Sequence, residues 1–309
     1  MKKAPAHRGS RDLVVVGSVA LDSVKTPFGE VERSLGGSAV YFSAAARFFC
    51  PVHLVGVVGH DFPQEHIQLL KKLGIQIDGL LMEQGRTFHW KGYYEKDLNR
   101  AITLKTELNV FERFKPVLMK QHLHAPHLFL ANIHPDLQWS VLQQSRKPKW
   151  VACDTMNFWI ESAPKSLERV LRHVDIVLMN DGEIRQWSGE AHLLKAVRKL
   201  MKLGPKIVVV KRGEYGACCF TSQGHFAIPA YLLDEVMDPT GAGDSFAGGF
   251  LGYLSRFDRP RAKDVQEAIL HGSVVASFNV QSFSVKRLAA LKASEIQKRL
   301  SDYRKMLLI

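Results

Sequence analysis

The segment from Met237 to Phe250, MDPTGAGDSFAGGF, holds the residues of this chain whose types and spacing could do chemistry. Gly241, Ala242 and Gly243 come directly before Asp244 and a run of small and apolar residues. Glycine takes backbone angles closed to other residues and lets a ligand approach the chain closely. A glycine turn that opens a helix aims unpaired N–H groups at one point, with the helix dipole behind them. That point suits a phosphate, or negative charge developing on one. Asp244 stands at the mouth of the same anion hole, where a bare carboxylate would repel a phosphate. Taking a proton from an attacking hydroxyl explains its place. Gly241, Ala242, Gly243 and Asp244 are therefore the candidate catalytic group of a phosphoryl transfer. A plain helix start with packing glycines competes for a bare GxGD, but DPTGAGDSFAGGF is far more specific. It is not a Walker loop, because no GK[ST] follows.

The elements that must position this segment alternate along the chain. Residues 13–17, LVVVG, read as a buried parallel strand, 39–49 as a helix, 53–59 as the next strand and Gln64 to Lys72 as the next helix. Strands follow at 127–132, 149–154, 175–180 and 206–211. Helices are expected from Pro135, near Ala163 and, as a short pair, after residue 180. This is the spacing of βαβ units and of an α/β fold. Residues 216–228 read as a hairpin turning at Gln223-Gly224. Helices are expected from Asp244 to about Phe278, broken near Asp258-Arg259-Pro260, and from Ser294 to Met306. Two segments interrupt the alternation, 22–35 and 85–110, both read as strands outside the main sheet.

The full string at 237–250 resembles the C-terminal signature of the PfkB (ribokinase-like) carbohydrate kinase family. The likeness runs from VVVGSVALD to the final helices. It implies a three-layer α/β/α fold with a central, mostly parallel sheet, in one domain spanning 1–309. It also implies a small β-lid over the substrate, formed by about 22–35 and 85–110. Asp22, at the end of GSVALD, matches an acid that holds substrate hydroxyls in the family. Leu35-Gly36-Gly37-Ser38-Ala39 resembles the family's Gly-Gly motif, where backbone passes close to substrate. Three residues after Ser38 many sugar and nucleoside kinases of the family carry Asn. This chain has Tyr41, which cannot give the two-sided amide contact and could instead stack on a ring or close the pocket. Inositol kinases of the family also depart from Asn here.

Asn180-Asp181-Gly182-Glu183 resembles the family's NxxE motif, in which Asn180 and Glu183 organise Mg²⁺ through its waters. A single Glu with an Asn is chemically sufficient for that ion. A helix N-cap with a capping box is an equally good local reading of the same residues. Lys211-Arg212-Gly213 resembles the glycine turn beside the nucleotide phosphates, with Lys211 or Arg212 neutralising charge and Gly213 giving close approach. A hairpin approach also explains its glycines. Asp238 and Thr240 match an Asp-x-Thr that binds a monovalent cation such as K⁺ in some relatives, with a later loop near Ser277 to Ser282. Thr240, Gly241 and Gly243 also border the nucleotide. Asp97, Asn99 and Asn157 are further acceptor-pocket candidates from motif order.

Bulk properties agree with an enzyme of small molecules. The chain has 309 residues, 46% hydrophobic and 23% charged, with no apolar run long enough for a membrane helix. The basic N-terminus lacks the apolar stretch of a signal peptide, so residues 1–10 read as a disordered arm and the location as cytoplasmic. Cys50, Cys153, Cys218 and Cys219 form no CxxC pair and read as reduced thiols, with Cys218 and Cys219 on opposite faces of a strand. Net charge is +12, but the basic residues are scattered, which suits an anionic substrate such as ATP better than nucleic acid. His122, His124, His127 and His134 read as strand-edge and cap residues rather than as a metal site.

The reading is an ATP- and Mg²⁺-dependent kinase that phosphorylates an alcohol of a small sugar or polyol. A nucleoside kinase or a myo-inositol kinase of the same fold is the alternative. Tyr41, Phe42, Phe88, Trp90 and Tyr93 are the rings that could stack on a nucleobase. A non-catalytic nucleotide or metabolite sensor is the alternative of a different class, and the intact anion hole, Asp244 and NxxE speak against it. An apolar lid face is the candidate homodimer interface.

Overall fold

The computed structural model describes residues 11–308; the arm expected over 1–10 lies outside them. Among the described residues the strands are β1 (Leu13–Val16), β2 (Ala20–Thr26), β3 (Gly29–Gly36), β4 (Val52–Gly59), β5 (Gln76–Glu83), β6 (Phe88–Tyr94), β7 (Ala101–Glu107), β8 (His127–Leu130), β9 (Trp150–Asp154), β10 (Ile176–Asn180), β11 (Ile207–Lys211), β12 (Ala217–Thr221) and β13 (Gly224–Ile228). Nine of them form one sheet in the order β13-β12-β11-β10-β9-β8-β1-β4-β5. The pairings from β11 through β1 to β5 are parallel, and only the β11–β12 and β12–β13 pairs are antiparallel.

Both faces of this sheet are buried, which is why its central strands read as continuous Val, Ile and Leu runs. Successive side chains alternate between two cores. Leu13 and Val15 pack with the helices Ser38–Ala46, Ala242–Leu254, Ala262–Asn279 and Ala293–Met306. Val14 and Val16 pack with Pro135–Gln144, Pro164–Leu171, Asp181–Ser188 and Leu193–Met201. Helix, sheet and helix make the three expected layers. Cys219 joins the first core and Cys218 borders the second, so the two thiols do lie on opposite faces. No helix among the described residues is long and apolar enough to cross a membrane.

The strand order reverses at β1, which lies between β4 and β8. In open α/β sheets the crevice beyond the carboxyl ends of strands at such a reversal is where ligands bind. The lid stands at this crevice. Its four strands pair in the order β3-β2-β6-β7, with β2 and β3 as a hairpin and β2 and β6 parallel. Asp22 and Trp90 are register partners, so they share one face of the lid. Ser23, Lys25, Lys91 and Tyr93 take the opposite face. That second face is laced with ion pairs, Lys25–Glu30 at 3.7 Å, Lys91–Glu32 at 3.6 Å and Lys105–Glu107 at 3.0 Å. It differs from the apolar surface expected of a dimer interface there.

The Ala242–Leu254 helix presses closely on the Ser38–Ala46 helix. A Cβ on Gly248 would lie 2.4 Å from the Phe42 carbonyl oxygen, so the small residues of SFAGGFLGYL set this approach. The contact places the start of one helix beside the start of the other, with Gly241 over the Tyr41 ring.

Candidate active site

Gly241 is the N-cap of the Ala242–Leu254 helix and adopts the left-handed conformation, φ 73° and ψ 4°. The turn is closed by the Ala242 N–H donating to Pro239 O (3.1 Å) and the Ser245 N–H to Gly241 O (2.8 Å). As first-turn groups, the N–H groups of Gly243 and Asp244 have no intrahelical acceptor, the arrangement of a helix N-terminus that suits an anion. Asp244 keeps some surface open. Burial among neighbouring groups still pushes its carboxyl up to about 7; Asp154 adds to the rise and Lys211 opposes it. A base with that pKa is matched to neutral pH.

Asp154, Asn180 and Lys211 end the adjacent parallel strands β9, β10 and β11, the position from which side chains reach such a crevice. Lys211 Nζ bonds Asp154 Oδ2 at 2.6 Å, with side-chain exposures of 17% and 3%. The same Nζ would lie 3.3 Å from a Cβ on Gly243, so the ammonium stands against the anion hole. Burial pulls the Lys211 pKa down, but Asp154 and Glu183 more than offset it and the net shift is upward. Arg212 is exposed, so of the two cations considered for phosphate only Lys211 points inward.

Asn180 and Glu183 form a reciprocal capping box: Asn180 N–H donates to Glu183 Oε2 and Glu183 N–H to Asn180 Oδ1, each at 2.7 Å. Glu183 is buried, which pushes its carboxyl up to about 7; Lys211 lowers it and Asp154 raises it. The capping and metal readings are thus compatible, since the box fixes Glu183 beside the Asp154–Lys211 pair.

On the acceptor side Asp22 is buried against the Gly36-Gly37 turn. A Cβ on Gly36 would fall 1.8 Å from Asp22 Oδ2. Burial drives the Asp22 pKa to about 7; a hydrogen bond from the Gly37 N–H lowers it, and Asp238 and Asp244 raise it. Gly37 sits at φ 97°, and a side chain there would collide with Ser18 O at 2.5 Å. Ser18 and Ser38 clamp this turn to the end of β1: Ser38 N–H donates to Ser18 Oγ (3.0 Å) and Ser18 N–H to Ser38 Oγ (3.2 Å).

Tyr41 is 2% exposed, with its ring directly beneath Gly241: a Cβ there would lie 2.3 Å from Tyr41 Cγ. It supports the Gly241 turn and is too buried to stack on a ligand. Its hydroxyl has no partner among the described residues. Burial and the charges of Asp22 and Asp238 raise its pKa far above the usual tyrosine value. Thr240 Oγ1 donates to Tyr94 Oη of the lid at 3.3 Å, which identifies the lid face that turns toward the crevice.

Asp238 is 1% exposed and accepts the Thr240 N–H at 2.9 Å through Oδ1. Asn279, within the 277–282 segment, donates to Thr240 O at 2.8 Å. Asp238 Oδ2 and Asn279 Oδ1 are both buried without a hydrogen-bond partner.

The remaining candidates are placed differently. Asn99 accepts nothing from the Asp22 side; its amide reaches across the crevice and donates to Glu214 Oε1 at 3.0 Å, with its Oδ1 over Gly213. Asp97 Oδ1 accepts the Asn99 N–H at 3.3 Å and shapes that loop. Asn157 donates to Gln186. The histidines take strand and cap positions. His134 Nδ1 caps the Pro135–Gln144 helix, His127 is buried in β8 against Trp150, His124 ends the short Lys120–Leu123 helix, and His122 meets His53 edge-on. Asp154, Ser18 and Tyr94 were not singled out from the sequence. Asp154 carries a signal, an acid at the end of a buried apolar strand, whereas Ser18 and Tyr94 are identified only by their contacts.

A sequence profile of the pfkB family carbohydrate kinases matches residues 10–290. The chain belongs to this family. A cytidine kinase of Thermococcus kodakarensis is 32% identical over 253 residues, covering 79% of this chain and 89% of that one. The crystal structure of a nucleoside kinase of Methanocaldococcus jannaschii superposes with a TM-score of 0.77 at 21% identity, over 95% of this chain and all of that one. A ribokinase structure from Giardia lamblia gives 0.80 at 19% identity, over 96% and 100%. The fold is that of the ribokinases, and this kinase transfers phosphate from ATP to a sugar or nucleoside class of acceptor.

Proposed function

We propose that this kinase phosphorylates a ribose hydroxyl of a nucleoside, with Asp244 as the base. One observation carries the transfer chemistry: two carboxylates from separate elements, Asp22 against the Gly36-Gly37 turn and Asp244 at the start of the Ala242–Leu254 helix, lie near enough for Asp244 to raise Asp22, each with a pKa of about 7. The relatives named for cytidine and nucleosides support the choice of acceptor. Asp22 accepts hydrogen bonds from acceptor hydroxyls and orients one of them. Asp244 takes its proton as the hydroxyl oxygen bonds the γ-phosphorus and the bond to the β-phosphate oxygen breaks, releasing ADP. The N–H groups of Gly243 and Asp244 receive charge on the phosphoryl group in flight, and Lys211 neutralises more of it. The lid, anchored at Tyr94–Thr240 and Asn99–Glu214, covers the reacting atoms and keeps water out.

The residues present suit Mg²⁺. Asp154, Glu183 and Asp244 surround a single ammonium, a net negative setting for a divalent ion. Mg²⁺ needs few protein carboxylates and keeps water ligands, so this set suffices without a dedicated chelating cage. Asn180 and Glu183 are the pair to hold it, and when bound with ATP it supplies charge neutralisation on the phosphates. The test is ATP-to-ADP conversion with Mg²⁺ across nucleosides, pentoses, hexoses, hexose phosphates and inositols. Nucleoside-dependent turnover is expected; turnover confined to free sugars or inositols would overturn the acceptor assignment.

Asp238 Oδ2 and Asn279 Oδ1 also suit a monovalent cation, because an unpartnered buried carboxylate oxygen is costly without a counter-charge. Exchanging K⁺ for choline in the assay is expected to lower turnover, and Asp238→Asn to remove the difference. Equal rates of the native protein in both salts would show that no such ion takes part.

A further inference from the structure

Trp90 stands out among the five tryptophans of the chain. Trp139 packs edge-on to His173, Trp150 against His127 and Trp159 against Phe158 and His134, while Trp187 lies under the Lys199 ammonium. Among the described residues neither a ring nor a cation stacks on Trp90. Its direction is fixed by register. Trp90 pairs with Asp22 on the lid face that turns toward the crevice, and Tyr94, two positions further on the same face, reaches Thr240.

Its orientation is fixed as well. A Cβ on Gly92 would lie 2.4 and 2.5 Å from Trp90 Cζ2 and Cη2, so the six-membered ring lies over Gly92, the next residue on that face. The indole Nε1–H donates to Thr103 Oγ1 at 3.2 Å, and Thr103 is the cross-strand partner of Gly92. The indole is therefore laid along the sheet with one face on the lid backbone, and its half-buried state leaves part of its surface uncovered. The other rings that could stack are committed elsewhere. Phe42 stacks on Phe129, Phe88 on Phe111, Tyr41 lies under Gly241, and Tyr93 is on the opposite lid face.

We infer that Trp90 is the platform on which the flat base of the acceptor stacks, and that it selects a nucleoside over a free sugar. The inference rests on the nucleoside reading above. An indole pinned by Gly92 and Thr103 loses little freedom on binding, so the stack forms without ordering a mobile side chain. Asp22, its register neighbour one strand away, is placed to hold the ribose while the base lies on the ring. Strand spacing of about 4.8 Å is on the scale of that separation.

The experiment compares native protein, Trp90→Phe and Trp90→Leu with a nucleoside and with free ribose, alongside tryptophan fluorescence during nucleoside titration. A base–aromatic stack contributes about 1–3 kcal/mol, so Trp90→Leu is expected to raise the nucleoside KM about tenfold to hundredfold with kcat unchanged. The rate with ribose should be the same in Trp90→Leu as in the native protein, and Trp90→Phe should keep most of the nucleoside affinity. Nucleoside binding should quench the native emission and leave the emission of Trp90→Phe unaltered. A nucleoside KM unchanged in Trp90→Leu, or an equal fall of kcat in both variants, would overturn the platform while the nucleoside reading stands. Native protein that prefers ribose to every nucleoside would overturn both. Matched thermal melts of the variants guard the comparison, and the quenching result decides the matter in Trp90→Phe if Trp90→Leu is unstable.

Discussion

Asp244→Asn is expected to fold and to lose about 10²–10⁴ in turnover, the usual weight of a general base. The amide keeps the shape of the carboxylate at the helix start and cannot take a proton. The pH profile of the native protein should show the same group. Because the free protein holds Asp244 at about 7, kcat/KM should rise with pH through neutrality and level off above it. Asp22 and Glu183 titrate in the same range, so the rising limb should be steeper than one proton allows, and Asp22→Asn should make it shallower. Turnover of Asp244→Asn near the native value would assign the proton to another group.

Stability should move in the opposite direction. Asp244 has its pKa raised from 3.8 in the unfolded chain to about 7 in the fold. Between those values the folded state binds more proton than the unfolded state, so stability falls as pH rises across that window. Above it the buried charge is a standing cost. Asp244→Asn should therefore melt a few °C higher than the native protein at pH 8, with about 2–4 °C for each kcal/mol recovered. The gap should shrink toward zero near pH 4, where the native carboxyl is already neutral. Scanning calorimetry at both pH values checks this, and an equal gap at both would mean that the fold does not raise the Asp244 pKa. A catalytic residue that weakens the fold is the expected trade between activity and stability.

The fold was largely legible because its signals are local. Apolar runs ending in Gly, Asp or Asn marked β1, β9 and β10, and the 3.6-residue pattern marked Gln64–Lys72 with its ends correct. β5 was not visible. Its sequence, QIDGLLME, mixes polar and apolar residues because it is an edge strand with one face partly exposed. The glycine turn that opens the Ala242–Leu254 helix was legible for a different reason: a glycine run before an apolar stretch marks a helix start. Partnerships across the crevice were not legible. That Lys211 answers Asp154, that Tyr94 reaches Thr240, and that Asn99 crosses to Glu214 are matters of strand order and lid placement, which one sequence does not encode locally. Tyr41 shows the limit most clearly. Its type suggests a stacking ring in the pocket, whereas its neighbour in space, Gly241, makes it the support of the turn that opens the Ala242–Leu254 helix.

That support yields the second large effect. Gly241→Ala adds one methyl group, and two separate penalties follow. Alanine in the left-handed conformation costs about 1–2 kcal/mol. The new Cβ would also meet Tyr41 Cγ, Cδ1 and Cδ2 at 2.3–2.5 Å, and the ring is too buried to turn aside. Overpacking of this kind costs about 1–3 kcal/mol more, and the turn yields before the core does. A shift of the turn by about 1 Å carries the Gly243 and Asp244 N–H groups off the phosphoryl position, which is worth about 10²–10³ in rate. The variant should thus melt several °C lower and be nearly inactive although Asp244 is intact. Tyr41→Ala separates the two penalties. In that background the ring is gone, so adding Gly241→Ala should cost only the backbone strain, and its effect on rate should shrink in step. Strong coupling between the two substitutions in melting temperature and in kcat is the expected outcome, since the residues touch. Additive effects would mean that Tyr41 does not support the turn and that its buried ring serves the core alone.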